Sequence, residues 1–270
     1  MIGRQTYSML ALALFFSQAC GEPSAKAPLQ PWGQWVWSDA DVRVFEQSRA
    51  KLPDLQAAVW IATIEGCADG RLSADLGFSP SKVASPALLV RLDDDFSVCW
   101  NLSDAEVLAA VDEKLGRLLA MADQAGVHAT EIQLDYDSPT SKLPRWATLL
   151  AGLRQRSLKG KNVWITSLVA HLQEPSYGDY FRDTVDGHMI QVFDTGDRVG
   201  TAADIRKTLD RAAMPFRLGL GAFERQNHGV AVTEHGRWFS ESGPITQSEW
   251  YRGTWVFPAG RPWIERLEDK

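Results

Sequence analysis

The sequence has 270 residues, of which 45% are hydrophobic, and its formal net charge is −6. A chain of this length buries one substantial core, so we expect a single domain that acts as a monomer. The acidic balance and the lack of a basic cluster exclude a nucleic-acid-binding protein. The sequence has no glycine-rich phosphate loop and no His-x-x-x-His pair, so neither a cofactor nor a metal ion is expected.

The first 19 residues have the composition of a secretory signal. Arg4 provides one positive charge, and residues 7–16 form an apolar run that is too short to cross a bilayer. The sequence S-Q-A-C that ends at Cys20 resembles a bacterial lipobox, which implies that Cys20 becomes the lipidated first residue of the mature chain. We therefore expect an exported protein, lipid-anchored in the periplasm or at the outer membrane; simple cleavage and release is the alternative.

Strand and helix patterns alternate along residues 32–270, after a flexible tether of residues 20–31 that contains three prolines. The predicted strands are residues 34–38, 55–65, 87–93, 129–139, 162–170, 188–194, 216–223 and 253–259. The predicted helices are residues 39–51, 104–126, 144–157, 175–185, 201–213 and 247–251. Eight strands that are separated mostly by helices predict a single α/β domain, a (β/α)8 barrel of the TIM type.

Two connections depart from this alternation. Residues 66–86 show little helical periodicity, so the second crossover is expected to be irregular. Residues 225–244 contain the run V-A-V-T-E-H-G-R-W-F, which predicts an inserted β-hairpin that turns near His235 and Gly236.

Cys67 and Cys99 remain as an even pair if Cys20 carries lipid, and export would place them in an oxidising compartment. Each cysteine follows a predicted strand, so both are expected at the same end of the sheet, joined by a disulfide. Two buried free thiols are the alternative.

The strand at residues 129–139 has an unusual polar face. Alternation places Glu131, Gln133, Asp135 and Asp137 on one side, whereas strands of a parallel sheet are normally apolar throughout. Inward side chains of a barrel approach the carboxyl end of the strands, where the sites of (β/α)8 barrels are built. We expect Asp135 and Asp137, about 6.6 Å apart along the strand at ~3.3 Å per residue, to stand together at the barrel mouth.

Residues at the ends of the other predicted strands extend this candidate site. Most of them are acidic or aromatic, which is typical of carbohydrate sites, because carboxylates bond hydroxyl groups and aromatic faces stack on sugar C–H surfaces. The full set is Trp37, Glu65, Asp93, Asp135, Asp137, His171, Asp194, Glu224 and Trp255.

These residues also have structural interpretations. Asp135 can bond groups of neighbouring strands, and Asp137 can cap the loop that follows. Arg91 is expected to pair with Glu131 across adjacent strands, as an interior ion pair that holds the barrel together. Glu65 and Asp93 can be solvated loop carboxylates. Trp37 can be a core ring, and His171 can be a structural histidine.

Three short motifs resemble those of family 18-type chitinases and their relatives. The stretch Q-L-D-Y-D resembles their motif D-x-x-D-x-D-x-E, also on a fourth barrel strand, which implies that Asp135 is the assisting aspartate and Asp137 the proton donor. The sixth strand resembles M-x-Y-D, with Gln191 and Asp194 at the ends of Q-V-F-D. Trp255 resembles the tryptophan at the floor of the family's sugar site. The motifs together imply a glycoside hydrolase barrel with a carbohydrate ligand.

The chain is also similar to a group of exported bacterial proteins, the domain of unknown function three-one-four-two. Its W-V-W start and its Q-L-D-x-D strand are the features that it shares with this group. This resemblance implies a barrel and names no reaction.

Two functions follow from these resemblances. The first is glycan hydrolysis by carboxylate acid/base catalysis, in which Asp135 raises the pKa of Asp137 by making a second negative charge costly. Phe193 lacks the hydroxyl group of the family's tyrosine, so a direct mechanism with another base is open: Asp194, Glu65 or Glu224. Asp137 is one methylene shorter than the family's glutamate, and the second function is therefore a non-catalytic glycan-binding or scaffold lipoprotein.

Overall fold

The computed structural model describes residues 31–68, 71–77, 83–84, 87–193, 200–222, 225–227, 230–232 and 234–267. The strands are β1 Trp32–Val36, β2 Gln56–Ala68, β3 Arg71–Leu76, β4 Ala87–Leu92, β5 Glu131–Tyr136, β6 Asn162–Leu168, β7 Gly187–Gln191, β8 Phe216–Gly221, β9 Arg225–Asn227, β10 Val230–Val232 and β11 Tyr251–Phe257. The helices are α1 Asp39–Lys51, α2 Asp104–Gln124, α3 Leu143–Arg154, α4 Tyr177–Phe181, α5 Ala202–Ala212, α6 Glu234–Glu241 and α7 Gly243–Thr246. Short 3₁₀ helices cover Asp94–Asn101, Thr140–Lys142, Val169–Gln173 and Ile264–Leu267. Within these ranges no helix combines the length and the apolar character that crossing a membrane requires.

Parallel strands close into a ring of eight. Their order is β1, β2, β4, β5, β6, β7, β8 and β11, and β11 pairs back with β1. Parallel neighbours need a crossover connection, and most of these crossovers contain a helix. The predicted (β/α)8 barrel is therefore confirmed.

The connection between β2 and β4 contains a strand. β2 continues past its pairing with β4 to Ala68 and pairs with the antiparallel β3, with Thr63 opposite Asp75. The predicted crossover without helical periodicity thus contains a hairpin strand in the residues that the structure describes.

The insertion between β8 and β11 contains the predicted hairpin, but the predicted turn position is wrong. β9 and β10 pair with each other, whereas His235 and Gly236 lie within α6. α6 buries Trp238 and Phe239. Burying a large apolar side chain is worth about 1.5–3 kcal/mol, which exceeds the cost of about 1 kcal/mol for a glycine inside a helix.

Reciprocal side-chain hydrogen bonds cap the amino ends of α2 and α5. At α2, the Ser103 hydroxyl accepts from the Glu106 backbone N–H, and the Glu106 carboxylate accepts from the Ser103 backbone N–H. At α5, Thr201 accepts from the Asp204 backbone N–H at 3.2 Å in the same reciprocal arrangement. These contacts satisfy N–H groups that the first turn of a helix leaves unpaired, so both helices begin at defined residues.

The buried apolar side chains form two clusters, one on each side of the sheet. The larger cluster lies between the strands and the surrounding helices. The smaller cluster fills the inside of the ring, and its buried members are Trp35, Ala58, Leu89, Trp164, Met189 and Trp255. Strand alternation produces this division, because successive side chains point to opposite faces of the sheet.

An ion pair closes the amino end of the barrel interior. Arg217 donates to both carboxylate oxygens of Glu131, at 2.6 and 2.9 Å, and its guanidinium lies 3.8 Å from the centre of the Trp164 ring. The predicted pairing of Arg91 with Glu131 is wrong. Arg91 is in register with Asp135, which lies ~13 Å further along the strand than Glu131.

Candidate active site

A cavity of about 230 Å³ opens at the carboxyl end of the barrel strands. Its aromatic side comes from β1, β11 and the end of β7: Trp35, Trp37, Phe257 and Phe193. Its polar side comes from β4 to β7: Arg91, Asp135, Asp137, Thr166 and Gln191. Pockets for drug-sized molecules measure about 300–1,000 Å³, so this cavity suits a smaller group.

Phe257 lies at the centre of the aromatic side. Its ring centre is 5.8 Å from that of Trp37, 6.0 Å from that of Phe193 and 6.5 Å from that of Trp35. Trp37 also stacks on Trp60, with 5.3 Å between ring centres. Edge and face contacts of this kind fix each ring against its neighbours, so the apolar surface is formed in advance of any ligand.

Asp135 is the buried carboxylate of the cavity, with 7% of its surface exposed. Gln191 donates to it at 3.4 Å, and one guanidinium nitrogen of Arg91 lies 3.7 Å away. Burial raises the pKa of Asp135, while the Arg91 charge and hydrogen bonds from Thr166 and Gln191 oppose this rise. The carboxyl group is therefore shifted toward its protonated form.

Asp137 lines the same cavity but is exposed to solvent. It follows Tyr136, the last residue of β5, so its backbone belongs to the loop at the barrel mouth. The structure thus places Asp135 and Asp137 together, as the polar face of the strand predicts. Two carboxyl groups in such unequal environments are the usual arrangement of acid/base pairs.

Gln133 connects the cavity to the ion pair below it. The Trp35 indole N–H donates to the Gln133 side-chain oxygen at 2.7 Å, and the Gln133 amide donates to Glu131 at 2.8 Å. Glu131 is in turn bound by Arg217. Buried polar side chains need partners, and this line of contacts satisfies Gln133 while holding the Trp35 ring at the cavity floor.

The cavity residues that are absent from the site predicted from sequence include Trp35, Arg91, Thr166 and Phe257. Each is an inward position of its strand, two residues from another inward side chain of the barrel. Strand alternation applied to every strand, rather than to the strand ends alone, is the signal that finds them.

Trp255 lies in the layer beneath the cavity, with 1% of its surface exposed. It is in register with Gly33 on one side and Gly219 on the other, and a Cβ at Gly33 would lie 2.3 Å from the indole ring. The indole fills the space that Gly33 leaves open, whereas a Cβ at Gly219 would lie 3.1 Å from the Trp35 ring. Phe257, two residues later, occupies the cavity surface where the resemblance implies Trp255.

Glu65 and Asp93 stand outside the cavity lining. Ser73 donates to Glu65 at 2.9 Å, within the hairpin of β2 and β3. Asp93 caps the 3₁₀ helix Asp94–Asn101 by accepting from the Phe96 backbone N–H at 3.1 Å. Burial raises the pKa of Asp93, the Phe96 contact opposes the rise, and nearby carboxylates add to it. Both residues have local structural partners.

The remaining predicted positions divide into two groups. Asp194, Glu224 and Cys20 lie outside the residues that the structure describes. His171 is buried: its Nε2 contacts the Ser138 carbonyl at 2.8 Å, and its Nδ1 accepts from a backbone N–H at 3.2 Å. Burial lowers the pKa of His171, so the ring is neutral and structural.

The predicted disulfide is confirmed. Cys67 at the end of β2 is bonded to Cys99 in the 3₁₀ helix after β4, with 5.1 Å between Cα atoms and a sequence separation of 32. A crosslink across a loop of this length stabilises a protein by about 3–4 kcal/mol. It joins the β2 extension to the loop beside the barrel mouth.

A larger cavity of about 980 Å³ lies at the opposite end of the barrel. Its lining is mixed in polarity and includes Glu131 and Trp255. The Glu131 charge is already paired with Arg217, and the sites of (β/α)8 barrels lie at the carboxyl end of the strands. Across the described ranges, no three His, Cys, Asp or Glu side chains are grouped as metal ligands.

Comparisons with known proteins place the chain in a family. Residues 87–242 match the family described as Domain of unknown function (DUF3142). The chain belongs to the DUF3142 family. No curated protein sequence matches this DUF3142 chain significantly.

Solved structures with a similar fold include two enzymes and one enzyme inhibitor. The GH18 chitinase ChiB of Flavobacterium johnsoniae is 10% identical with a TM-score of 0.57, over 89% of the DUF3142 chain and 93% of ChiB. The spore cortex-lytic enzyme SleL of Bacillus cereus is 13% identical with a TM-score of 0.56, over 88% of the DUF3142 chain and 72% of SleL. The xylanase and alpha-amylase inhibitor protein XAIP-II of Scadoxus multiflorus is 13% identical with a TM-score of 0.53, over 89% of the DUF3142 chain and 98% of XAIP-II. Similarity at this level of identity shows that the DUF3142 chain shares the barrel fold of these proteins.

Proposed function

We propose that this DUF3142 protein is an exported glycoside-hydrolase-like lipoprotein that cleaves a polysaccharide or other glycan by carboxylate acid/base catalysis. One observation supports this proposal above the others: Asp135 and Asp137 line one cavity at the barrel mouth, opposite a wall of aromatic rings. Carboxylates facing aromatic rings are the arrangement that sugar-cleaving sites use.

The two sides of the cavity match the two kinds of surface on a sugar. The C–H face of a pyranose ring would stack on Trp37 and Phe257, and its hydroxyl groups would bond the polar side at Asp135, Thr166 and Gln191. With a volume of about 230 Å³, the cavity accommodates one ring of a longer glycan.

Catalysis would use the two aspartates in different roles. Asp137, at the open rim, would give its proton to the glycosidic oxygen as the bond to the anomeric carbon breaks. Bound glycan would cover Asp137, and burial disfavours the charged form of a carboxyl group. Asp135 would orient a water molecule whose oxygen bonds the anomeric carbon in place of the departing glycosidic oxygen. The proton that this water releases would pass through solvent and restore the proton on Asp137.

A non-catalytic glycan-binding protein is the second candidate, and the exposure of Asp137 favours it. A proton donor at neutral pH needs an environment that keeps its proton, and the burial that provides such an environment is found at Asp135. The cavity and its aromatic side would serve a binding protein equally well.

A glycan panel with both binding and hydrolysis readouts separates these functions. For the enzyme, we expect Asp137→Asn to lower the hydrolysis rate by about 10²–10⁴-fold while binding persists, because only proton transfer is lost. Exposed Asp39→Asn in α1 is the matched control and should leave both readouts unchanged. Unchanged hydrolysis in Asp137→Asn would exclude the donor role, and binding without hydrolysis by the unmodified protein would favour the binding function. A panel without any bound glycan would exclude both.

Export and membrane anchoring are part of the same proposal. The signal-like first residues and Cys20 support them, and the Cys67–Cys99 disulfide supports an oxidising compartment because structural disulfides are rare in the cytosol. Cell fractionation tests this part, and the protein should be found in the membrane fraction. After detergent extraction it should be a monomer. Cys20→Ala should abolish lipid labelling. Lipid labelling that persists in Cys20→Ala would contradict the anchor.

A further inference from the structure

We propose that Arg91 makes the cavity selective for a sugar that bears a carboxylate, as in a uronic acid. This inference rests on the proposed function and specifies its substrate class. The argument comes from the way that Arg91 is held, from the charges around it and from the geometry of its guanidinium group.

Arg91 is placed at the cavity with most of its hydrogen-bonding capacity available. It lines the cavity from β4, and 40% of its side chain is exposed. Its ion-pair partner among the described residues is Asp135, at 3.7 Å, which is longer than the 2.7–3.2 Å typical of an N–H···O hydrogen bond. A guanidinium group has five N–H donors, so a bound ligand can still accept from it.

The other arginine of the barrel interior shows the contrast. Arg217 donates to both oxygens of Glu131 at 2.6 and 2.9 Å, and 9% of its side chain is exposed. Its guanidinium also lies against the Trp164 ring. Arg217 is thus a structural arginine with a dedicated partner, whereas Arg91 is placed in the cavity with a distant one.

The charges around Arg91 favour an anion on its side of the cavity. Burial shifts Asp135 toward its protonated form, so it compensates the Arg91 charge incompletely. Thr166 and Gln191, two further polar groups of the lining, are uncharged. Asp137, at the rim, would carry a proton as the donor of the proposed mechanism and would then add no negative charge to this cavity.

A carboxylate fits this position better than other anions. Arginine binds a planar carboxylate through two parallel N–H···O bonds, which add orientation as well as affinity. A uronic acid carries its carboxylate directly on the ring, so it adds little volume to a sugar in a cavity of about 230 Å³. The ring would keep its apolar face on Phe257.

The test compares matched acidic and neutral glycans. Calorimetry would measure dissociation constants of hexuronic acid oligosaccharides and of neutral hexose oligosaccharides with the same linkage and length, each with the full-length protein in detergent. We expect the acidic member of a pair to bind about 10- to 100-fold more tightly, and Arg91→Gln to bring that ratio close to one. Arg117→Gln is the control, because Arg117 is exposed and pairs with Glu113 on α2.

Arg91→Lys keeps the charge and serves if Arg91→Gln does not fold. It should reduce the ratio without abolishing it, since lysine cannot form the two parallel bonds. Equal binding of acidic and neutral glycans, or an unchanged ratio in the Arg91 variants, would overturn the inference while the proposed function stands. Tighter binding of sulfated than of carboxylated glycans would overturn the carboxylate assignment. A protein that binds no glycan would overturn both proposals.

Discussion

The two ends of the barrel interior use the same residue types in opposite ways. At the amino end, Arg217 and Glu131 form a close, two-bond ion pair that is almost fully buried. At the carboxyl end, Arg91 and Asp135 are 3.7 Å apart beside a cavity. The comparison teaches that an arginine–carboxylate pair stabilises the barrel where the two groups form short, buried hydrogen bonds. Where the groups are further apart and border a cavity, the arginine is available to a ligand.

The largest expected effect lies at the closed end. Glu131→Gln would leave the buried Arg217 charge without its counterion and should lower the free energy of unfolding by about 3–5 kcal/mol. Asp135→Asn at the open end should change it by less than about 1 kcal/mol, because it removes a charge that burial already disfavours. Urea denaturation measures both. Equal losses of unfolding free energy in the two variants would show that the two ion pairs contribute equally to stability.

The disulfide tests how the open end is supported. The double variant Cys67→Ser and Cys99→Ser should lose about 3–4 kcal/mol of unfolding free energy, since the crosslink restricts a long loop of the unfolded chain. Denaturation with and without a reducing agent checks this: the reductant should destabilise the unmodified protein and leave the double variant unaffected.

Gln133 joins the two ends, so its removal should affect both. Gln133→Leu leaves the Trp35 indole N–H without its acceptor and should cost about 1–3 kcal/mol in unfolding free energy. Glycan binding should weaken as well, because Trp35 forms part of the cavity. Gln56→Leu, at an exposed position of β2, is the control for the change in side chain. Stability loss with unchanged binding would separate Gln133 from the site.

The smallest effect is the pH dependence that Asp135 adds. Its pKa is raised in the folded state, so between about pH 3.9, the ordinary value for aspartate, and the raised value the folded protein keeps a proton that the unfolded chain has released. The stability of the protein relative to Asp135→Asn should therefore fall as pH rises through this window and stay level above it. A stability difference that rises with pH would mean that the Arg91 charge, rather than burial, dominates.

The register between strands explains where the structure places Trp255 and Arg91. Alternation along one strand predicts that Trp255 points inward, and it does. The height of Trp255 in the barrel depends on its neighbours Gly33 and Gly219, which come from distant parts of the chain. The same reason applies to Arg91, whose partner is set by the register of β4 against β5 rather than by spacing in the sequence.

The sequence by itself determined the strand and helix alternation, the polar inward face with Asp135 and Asp137, and the two cysteines that meet in a disulfide. These features follow from local periodicity and from residue chemistry, both of which can be read from short segments of the sequence. Only the tertiary structure decided that Asp135 is buried while Asp137 is exposed, and that Phe257 rather than Trp255 faces the cavity. Burial and layer height depend on how distant strands stagger when the ring closes, and that stagger has no signature within any single strand.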